Sequence, residues 1–415
     1  MPQTETLIDP ARALADLDAL RDLTGGPDGS RRLCWTDDWT AARGLLRDRL
    51  AELPVTVDTD EAGNLWGRLA GRTERTVVVG SHVDSVPAGG WLDGALGVMG
   101  ALEVLRTLAT AGTPPACTVS FVDWADEEGA RFGRSLFGSS AVSGTLEPDL
   151  VRDLRDAGGE RLEDVVRAHG VELDRAGEAS TRLRDVAAYL ELHIEQGPVL
   201  ESEGLVVGTV LGTVGVERHR ATFEGQAAHA GSTPIRHRRD SFLAAARCAL
   251  ELREIALRHD GVCTVGRADC TPGVVTAIPG RTEILIDQRH LDSGTLALML
   301  SDAKDAATRF AAEEGCTVEW ERLWAIEPIP FDADLIEIAR AACREVTRSD
   351  RALPSGPLHD AAEMARHVPT VMLFSSSTGG LSHCKEEDTP VEHLEAAIRA
   401  FGLTATRTID RVARA

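Results

Sequence analysis

The sequence predicts a mostly parallel α/β domain that is interrupted by a smaller α+β domain. Short β-branched runs alternate with amphipathic stretches in the first half of the chain, which is typical of a parallel sheet covered by helices. A different order of elements follows between about Gly215 and Trp324, and the helix and strand pattern returns after Pro328. We therefore expect a discontinuous domain formed by residues 1–212 and 329–415, with an inserted domain at residues 213–328.

The strands expected in the first domain are continuous apolar runs. TVVVGSH ends at His82, CTVSFVDWADEEG contains the next strand, and AAYLELHIEQG ends near His193. An amphipathic helix, GALGVMGALEVLRTLATAG, separates the first two, and charged helical sequence from about Pro148 to Gly170 precedes the third. Continuous apolar runs suit a sheet that is buried on both faces, and in such sheets functional loops follow the C-terminal ends of the strands.

The inserted segment predicts the order β-α-β-β-α-β, which is the split βαβ arrangement of a small ferredoxin-like domain. Its two helices are expected in DSFLAAARCALELREIALRH and SGTLALMLSDAKDAATRFAAEEG, and its strands in GVERHRATFEG, VCTVGRADC, GRTEILIDQRH and CTVEWERLW. After Pro328 we expect a helix (ADLIEIARAACREV), a strand (TVMLFSS), a histidine-bearing loop and a C-terminal helix, all belonging to the first domain.

Length and composition exclude several classes of protein. A chain of 415 residues with 43% hydrophobic content exceeds what one core usually supports. The formal net charge of −22 argues against a nucleic-acid partner. The eight cysteines are scattered without a CxxC pair, which favours reduced, buried thiols. The N-terminal sequence MPQTETLIDPARALADL resembles no signal peptide, and no run is long enough to span a membrane. We expect a cytoplasmic protein with no membrane partner.

Candidate metal ligands follow the first predicted strand. His82 and Asp84 come directly after its apolar residues, and Asp93 lies in the glycine-rich loop that follows. The His-x-Asp spacing allows the Asp84 carboxylate to hold the imidazole N–H of a ligating His82, which fixes the tautomer of the ring. A single histidine after a strand is more often structural, so this segment alone does not establish a metal site.

Three carboxylates follow the next strand, at Asp126, Glu127 and Glu128. Adjacent carboxylates repel one another unless a cation neutralises them. At a metal site one of them coordinates the ion while its neighbour takes a proton from the attacking water. The alternative is a solvated acidic loop, which is common for such triplets.

Two further histidines, His193 and His383, occupy strand-end or loop positions. Imidazole and carboxylate ligands without cysteine suit Zn, Mn, Co or Ni in a hydrolytic site better than a structural zinc site. Two ions that share a bridging aspartate fit the number of candidate ligands.

Eight segments of the chain, in order, resemble peptidase family M20 in its branch of N-carbamoyl-L-amino acid hydrolases and allantoate amidohydrolases, the hydantoinase/carbamoylase family. The segments are DEAGNLWGRLAG, GSHVDSVPAGGWLDGALGV, DEEGARFGRSLFGSSAVSG, ELHIEQGPVLE, GQAAHAGSTPIRHRRD, AIPGRTEILIDQRH, SGPLHDAAEM and GGLSHCKEED. The resemblance covers nearly the whole chain. It implies a dinuclear metallohydrolase domain and an inserted lid and dimerisation domain.

The resemblance implies a role for each candidate ligand. His82 and His193 serve one divalent ion, Glu128 and His383 serve the other, and Asp93 bridges them. Glu127 is then the general base. The implied reaction is hydrolysis of a C–N bond in an N-carbamoyl-L-amino acid or a related ureido or N-acyl amino acid.

The resemblance also implies residues that act on the substrate. His229 reaches across a homodimer to stabilise the oxyanion in the neighbouring subunit, Arg289 pairs with the substrate carboxylate, and Gln196 lies near its carbamoyl end. His359 lines the pocket. From the residues alone, His229 reads equally well as a turn residue, Arg289 as a strand-end ion pair, and Gln196 as packing.

The chain departs from the family pattern around the substrate. Thr276 stands where the family usually has asparagine, Pro357 and Leu358 replace small residues, and Ala228 precedes His229 where asparagine is frequent. Fewer polar contacts disfavour allantoate, so we expect a small substrate with a carboxylate and an apolar portion. The alternatives are an allantoate or ureidoglycolate amidohydrolase, an aminopeptidase, or a relative that binds without turnover.

Overall fold

The chain divides into two compact units in a computed structural model, which describes residues 8–414. One unit is Met1–Gly212 with Phe331–Ala415, and the other is Thr213–Pro330. Residues 1–7 and 415, which fall within the predicted first domain and include the start of the N-terminal sequence, lie outside the described residues. The second junction follows Pro330, whereas the predicted one follows residue 328.

The first segment of the first unit alternates helices and strands. Its helices are α1 (Pro10–Thr24), α2 (Asp37–Ala51), α3 (Ala95–Thr110), α4 (Phe137–Ser143), α5 (Pro148–Val151), α6 (Leu162–Ala168) and α7 (Val199–Ser202). Its strands are β1 (Thr56–Thr59), β2 (Leu65–Leu69), β3 (Thr76–His82), β4 (Thr118–Trp124), β5 (Val186–Ile194) and β6 (Val207–Thr213). The charged sequence predicted as helical forms only α5 and α6, and a 3-10 stretch, Leu173–Asp185, follows.

The second unit contains the predicted split βαβ order together with one short additional strand pair and a further short strand. Its elements are β7 (Gly215–Glu224), β8 (Ala228–His229), α8 (Ser241–Arg258), β9 (Val262–Thr271), β10 (Ala277–Ile278), β11 (Arg281–His290), α9 (Ser293–Glu313), β12 (Thr317–Ile326) and β13 (Ile329–Pro330). The long strands form an antiparallel sheet in the order β12-β7-β11-β9. The alternating burial along β11 reflects the period of two in TEILID, whose apolar residues pack with those of α8 and α9.

The second segment of the first unit completes its sheet. It comprises α10 (Ala333–Thr347), β14 (Ala352–Ser355), α11 (Asp360–Ala365), β15 (Thr370–Ser375) and α12 (Val391–Arg414). The strands run in the order β1-β2-β4-β3-β5-β15-β6, and β14 pairs with β6. β4, β3, β5 and β15 are parallel to one another, whereas β1 with β2, β2 with β4, and β6 with β15 pair antiparallel. The fold is thus mixed α/β with a mostly parallel central sheet, as the sequence predicts.

The buried centre of this sheet sets the position of the candidate site. Every residue of β3, β4 and β15 is buried, as are the last seven residues of β5. Parallel strands end at the same edge of a sheet, so the segments that follow β3, β4 and β5 meet there.

Glycine allows α3 to begin against this edge. Gly94, which precedes the helix, has a φ of 64°, and a Cβ there would lie 2.3 Å from the carbonyl oxygen of His82. Only glycine combines this left-handed conformation with so close an approach. The helix therefore starts directly beside the first candidate ligand.

The cysteines are all free, and no helix within residues 8–414 is long and apolar enough to cross a membrane. The cytoplasmic location stays a prediction.

Candidate metal centre and active site

Two buried histidines face each other at the edge of the central sheet. His82 ends β3 and His193 lies near the end of β5, and each side chain is 1% exposed. Nδ1 of His82 donates to the carbonyl of Asp84 at 3.0 Å, and Nδ1 of His193 donates to the carbonyl of Ile194 at 2.9 Å. In a neutral ring this leaves Nε2 as an acceptor. The two Nε2 atoms are 3.5 Å apart, so acceptor faces acceptor.

Asp93 joins these histidines to a second group of candidate ligands. Its Oδ1 lies 3.2 Å from Nε2 of His193 and 4.0 Å from Nε2 of His82. Its Oδ2 lies 3.2 Å from Nε2 of His383, which in turn is 3.4 Å from Oε2 of Glu128. The structure thus forms two groups that share Asp93, namely His82–Asp93–His193 and Asp93–Glu128–His383. We call these five residues the cradle.

The donor chemistry of the cradle fits a pair of divalent cations. Imidazole nitrogens and carboxylate oxygens converge within 4.8 Å of one another in each group, without thiolates. Acceptor atoms placed face to face need positive charge between them, either protons or metal ions. Oε1 of Glu128 is buried without a hydrogen-bond partner among the described residues, as expected of an atom that has a further ligand to bind.

Without a cation, protons take up part of the charge of the cradle. Burial lowers the pKa of His82, but Glu127, Asp84 and Asp93 outweigh it and raise that pKa well above its usual range. Burial raises the pKa of Glu128 to about 7, and the hydrogen bond with Asp93 raises the pKa of His383 to about 9. The site therefore holds protons where a cation would reside.

Glu127 lies at the edge of the cradle with a carboxylate that faces His82. Its Oε2 is 3.7 Å from Nε2 of His82, and burial raises its pKa well above the usual range of a glutamic acid. A buried carboxylate beside a metal site is suited to accept a proton. Burial also raises the pKa of Asp126 to about 8, and its Oδ2 accepts a hydrogen bond from Trp35 Nε1 at 3.0 Å.

Asp84 contacts His82 through a different atom from the one predicted. The acceptor for His82 Nδ1 is the main-chain carbonyl of Asp84, while its carboxylate lies 3.6 Å from that nitrogen. The carboxylate instead accepts the backbone N–H groups of Glu127 and Glu128, each at 3.2 Å. The carboxylate does not bond His82 because the loop after β4 directs two backbone N–H groups at it. Asp84 thus links the ends of β3 and β4.

Sequence analysis missed Glu387, which fixes the position of Asp93. Its Oε1 accepts the backbone N–H of Leu92 at 3.1 Å and of Asp93 at 3.0 Å, and its Oε2 accepts the Ser382 hydroxyl at 2.9 Å. The acidic run after His383 was visible, but nothing local connects it with a residue 294 positions earlier.

Gln196, His359 and Leu358 occupy different surroundings. The Gln196 amide nitrogen lies 3.0 Å from Oδ2 of Asp93 and 3.3 Å from Nε2 of His383, so Gln196 contacts the cradle itself. His359 is buried with its ring centroid 4.4 Å from that of His193, and its Nε2 has no partner among the described residues. Leu358 is 36% exposed.

A third group with ligand geometry, Glu191–His193–His359, overlaps the first. Glu191 is fully buried and accepts hydrogen bonds from the Ser81 hydroxyl at 2.9 Å, the Tyr189 hydroxyl at 3.0 Å and the Ala361 N–H at 3.0 Å. Because these bonds already engage its carboxylate, we interpret Glu191 as a support for the end of β5.

The remaining predicted site residues belong to the second unit. His229 lies on β8, and its Nδ1 accepts the backbone N–H groups of Gly231 and Ser232 at 3.1 and 3.2 Å. Thr276 precedes β10, the partner of β8, and its carbonyl accepts the Ala230 N–H at 2.8 Å. The structure thus brings His229 and Thr276 together at one short antiparallel strand pair. Arg289 lies on β11, where its Nε donates to Oδ1 of Asp287 at 2.8 Å.

Comparison with known proteins gives one consistent family. Peptidase family M20/M25/M40 matches residues 78–407. An N-carbamoyl-L-amino acid amidohydrolase of Geobacillus stearothermophilus is 38% identical over 362 residues, covering 86% of this chain and 88% of its own. An allantoate amidohydrolase of Escherichia coli is 34% identical over 379 residues, covering 90% and 92%. The crystal structure of a hydantoinase/carbamoylase family amidase from Burkholderia multivorans is 34% identical with a TM-score of 0.85, covering 98% and 99%.

Proposed function

We propose, from the premise that the chain belongs to peptidase family M20/M25/M40, that it removes the carbamoyl group from an N-carbamoyl-L-amino acid or cleaves a related ureido or N-acyl amino acid. The relatives are hydrolases of non-peptide C–N bonds, and this chain is a hydrolase of that kind. The observation that carries the proposal is the pair of Nε2 acceptors, on His82 and His193, that face each other beside Asp93.

Two divalent ions, either Zn or one of Mn, Co and Ni, are the proposed cofactors. His82 and His193 would hold one, Glu128 and His383 the other, and Asp93 both. Such ions supply Lewis acidity to a water nucleophile and to the carbonyl oxygen of the substrate. The main-chain carbonyls that hold Nδ1 of each histidine fix the tautomer that a ligand needs.

Glu127 is the proposed general base. Its carboxylate is buried beside His82, and its backbone N–H is held by Asp84. It would take the proton from water as the oxygen attacks the carbonyl carbon and then pass it to the departing nitrogen. Because the neighbouring Glu128 points to the second group of ligands, the two adjacent carboxylates have separate roles.

The second unit would supply the residues that bind the substrate. Since Nδ1 of His229 accepts two backbone N–H groups, the neutral ring carries its proton on Nε2, the form that can donate to a developing oxyanion. We propose that His229 does so across a homodimer. We propose that Arg289 binds the substrate carboxylate, held in position by Asp287.

An allantoate or ureidoglycolate amidohydrolase is the second candidate. Its support is the similarity to allantoate amidohydrolases of Escherichia coli and Bacillus subtilis, which are 34% and 32% identical. Against it, the Thr276 hydroxyl is shorter than an asparagine amide and offers one donor hydrogen where the amide offers two, and the side chain of Leu358 cannot form a hydrogen bond. These two positions favour a substrate with an apolar portion.

A substrate screen tests the proposal. The purified protein, stripped of metal and reloaded with Zn, Mn, Co or Ni, is given N-carbamoyl-L-amino acids, allantoate, ureidoglycolate, N-acetyl amino acids and dipeptides. Hydrolysis of a carbamoyl group gives carbamate, which decays to ammonia and carbon dioxide, so ammonia and the free amino acid should appear in equal amounts. Glu127→Gln is the control for contaminating activity.

Each outcome of the screen decides between the candidates. A higher kcat/KM for allantoate or ureidoglycolate supports the second candidate, and turnover of dipeptides alone supports an aminopeptidase. Amino acid released from N-acetyl substrates without ammonia supports an N-acyl amino acid hydrolase. A metal-loaded protein without turnover of any substrate contradicts catalysis.

A further inference from the structure

The main chain of Val83, between His82 and Asp84, is hydrogen-bonded through both its N–H and its carbonyl. Its N–H donates to Oδ1 of Asp123 at 2.9 Å, and its carbonyl accepts Nε of Arg32 at 2.7 Å. All these groups are buried. Because Asp84 supplies both the carbonyl for His82 Nδ1 and the carboxylate for the loop after β4, any rotation of the main chain at Val83 would disturb both.

Arg32 belongs to a short strap, residues 30–32, that runs beside the loop after β3. The Ser85 N–H donates to the carbonyl of Arg32 at 3.1 Å, and the Ser30 N–H donates to the carbonyl of Gly89 at 2.9 Å. Nη1 of Arg32 donates to the Ser30 hydroxyl at 3.0 Å, and that hydroxyl donates to the carbonyl of Gly90 at 2.6 Å. The strap therefore bonds the loop at both of its ends.

Arg32 differs from other buried or largely buried arginines of the first unit in what it binds. Arg43 forms an ion pair with Asp123 at 2.7 Å, and Arg106 forms ion pairs with Asp16 and Glu103 at 2.9 and 3.2 Å. The Arg32 side chain is fully buried, yet no carboxylate of the described residues lies within ion-pair distance of it. Its shortest hydrogen bond is the one to the Val83 carbonyl, next to the first candidate ligand.

An unpaired buried cation is costly, so its retention needs a reason. Burial lowers the pKa of Arg32 to about 10, opposed mainly by the charges of Asp93 and Glu387. The guanidinium is thus charged at neutral pH and balanced by acidic groups in the cradle and beside it. A neutral aliphatic side chain would fill the space without fixing Val83.

We propose that Arg32 is a positioning residue, which holds the Val83 peptide so that His82 keeps the orientation a metal ligand requires. The inference rests on the proposed function, because it assumes that the cradle binds metal. It predicts that loss of Arg32 lowers the metal affinity of the His82 group more than that of the Glu128 group. Residues that orient ligands typically change metal affinity by about 10–100-fold.

The experiment measures metal binding rather than activity. Metal-free wild-type protein, Arg32→Met and Arg32→Lys are titrated with Zn²⁺ by calorimetry, and with Co²⁺ by the absorption of the bound ion. His193→Ala and His383→Ala each leave one group incomplete, so they identify which of the two dissociation constants belongs to which group. Arg106→Met, which removes a largely buried guanidinium from Asp16 and Glu103, is the matched control.

We expect Arg32→Met to raise the dissociation constant of the His82 group by about 10–100-fold and to alter the Co²⁺ spectrum of that ion. Arg32→Lys, which can still donate one hydrogen bond to the Val83 carbonyl, should lie between Arg32→Met and wild type. If Arg32→Met does not fold, Arg32→Lys provides the test. We then expect its dissociation constant to rise at least a few-fold at the His82 group alone.

Three results overturn the inference. Wild-type dissociation constants in folded Arg32 variants would show that Val83 needs no anchor. An equal loss of affinity for both ions, or a loss of metal affinity in Arg106→Met as well, would indicate general destabilisation. Tighter binding would show that the charge of Arg32 outweighs its hydrogen bond. A wild-type protein that binds no divalent ion would instead contradict the proposed function.

Discussion

Replacing Asp84 with asparagine tests how the ends of β3 and β4 are joined. The Asp84 carboxylate accepts one hydrogen bond from the backbone N–H of Glu127 and another from that of Glu128. In Asp84→Asn one acceptor oxygen becomes an NH₂ group that faces a backbone N–H. One hydrogen bond to a charged group is lost, and one buried donor is left without an acceptor.

The expected cost follows from the number of bonds. A hydrogen bond to a charged group contributes about 1.5–3 kcal/mol, and an unsatisfied buried donor costs about 1–3 kcal/mol. We therefore expect Asp84→Asn to lower the free energy of unfolding by roughly 2.5–6 kcal/mol. Because the segment with Glu127 and Glu128 is displaced, metal affinity should also fall, by about 10–100-fold.

Asp60→Asn is the matched control. Asp60 is buried and uses both carboxylate oxygens: Oδ1 accepts the backbone N–H groups of Ala62 at 3.0 Å and Asn64 at 2.9 Å, and Oδ2 accepts Asn64 Nδ2 at 2.9 Å and Trp66 Nε1 at 2.7 Å. An NH₂ group in place of either oxygen therefore faces a buried donor, as in Asp84→Asn. The Asp60→Asn protein should lose stability to a similar degree but keep its metal affinity. Thermal unfolding and metal titration of both variants provide the two measurements. Wild-type metal affinity in Asp84→Asn, or equal losses of affinity in both variants, would refute the reasoning.

Three further predictions concern catalysis, assembly and pH. Glu127→Gln should keep its metal content, measured by elemental analysis, while kcat falls by about 10²–10⁴-fold, because the amide cannot take a proton; near-normal turnover would contradict the assignment. Mixing inactive His229→Ala and Glu127→Ala subunits should restore about one quarter of wild-type activity, because each mixed dimer contains one complete site; no recovery in verified mixed dimers would exclude sharing. The chelated protein should lose stability as pH rises from about 6.5 to about 8, at on the order of 1.4 kcal/mol per pH unit for each retained proton. In the folded state Glu128 keeps its proton up to its pKa of about 7, Asp126 up to about 8 and His383 up to about 9, whereas the unfolded chain releases each at lower pH; added metal should reverse the trend, and rising stability in denaturation curves would contradict it.

Local sequence patterns were sufficient to predict the central strands. The apolar runs that form β3, β4, β5 and β15 have no polar alternation, which is the pattern of strands buried on both faces. The period of two in β11 and the long amphipathic helices α8 and α9 likewise predict the inserted unit. The α5–α6 region was predicted less well, because charged sequence gives little indication of where a helix breaks.

The contacts that support the site could not be predicted, because they join distant parts of the chain. Trp35 and Asp126 are 91 residues apart, and Glu387 and Asp93 are 294 apart. The sequence also does not indicate which atoms of a residue form a contact. The His-x-Asp spacing suggested a carboxylate on His82, but the chain turns so that the carbonyl of Asp84 takes that position. Spacing predicts which residues meet, whereas backbone direction decides which atoms do.

The two halves of the cradle differ in how the chain supports them, and this bears on how a pair of ions would be exchanged. His82 and His193 lie on central strands, whose amide hydrogens exchange with solvent only when the fold opens widely. His383 follows no strand directly, has a φ of 57°, and its side chain is 49% exposed. Local unfolding of its loop is therefore enough to expose it fully to solvent. An ion in the Glu128 group would therefore have a short residence time and equilibrate with the surrounding metal pool, while its neighbour would stay bound for much longer.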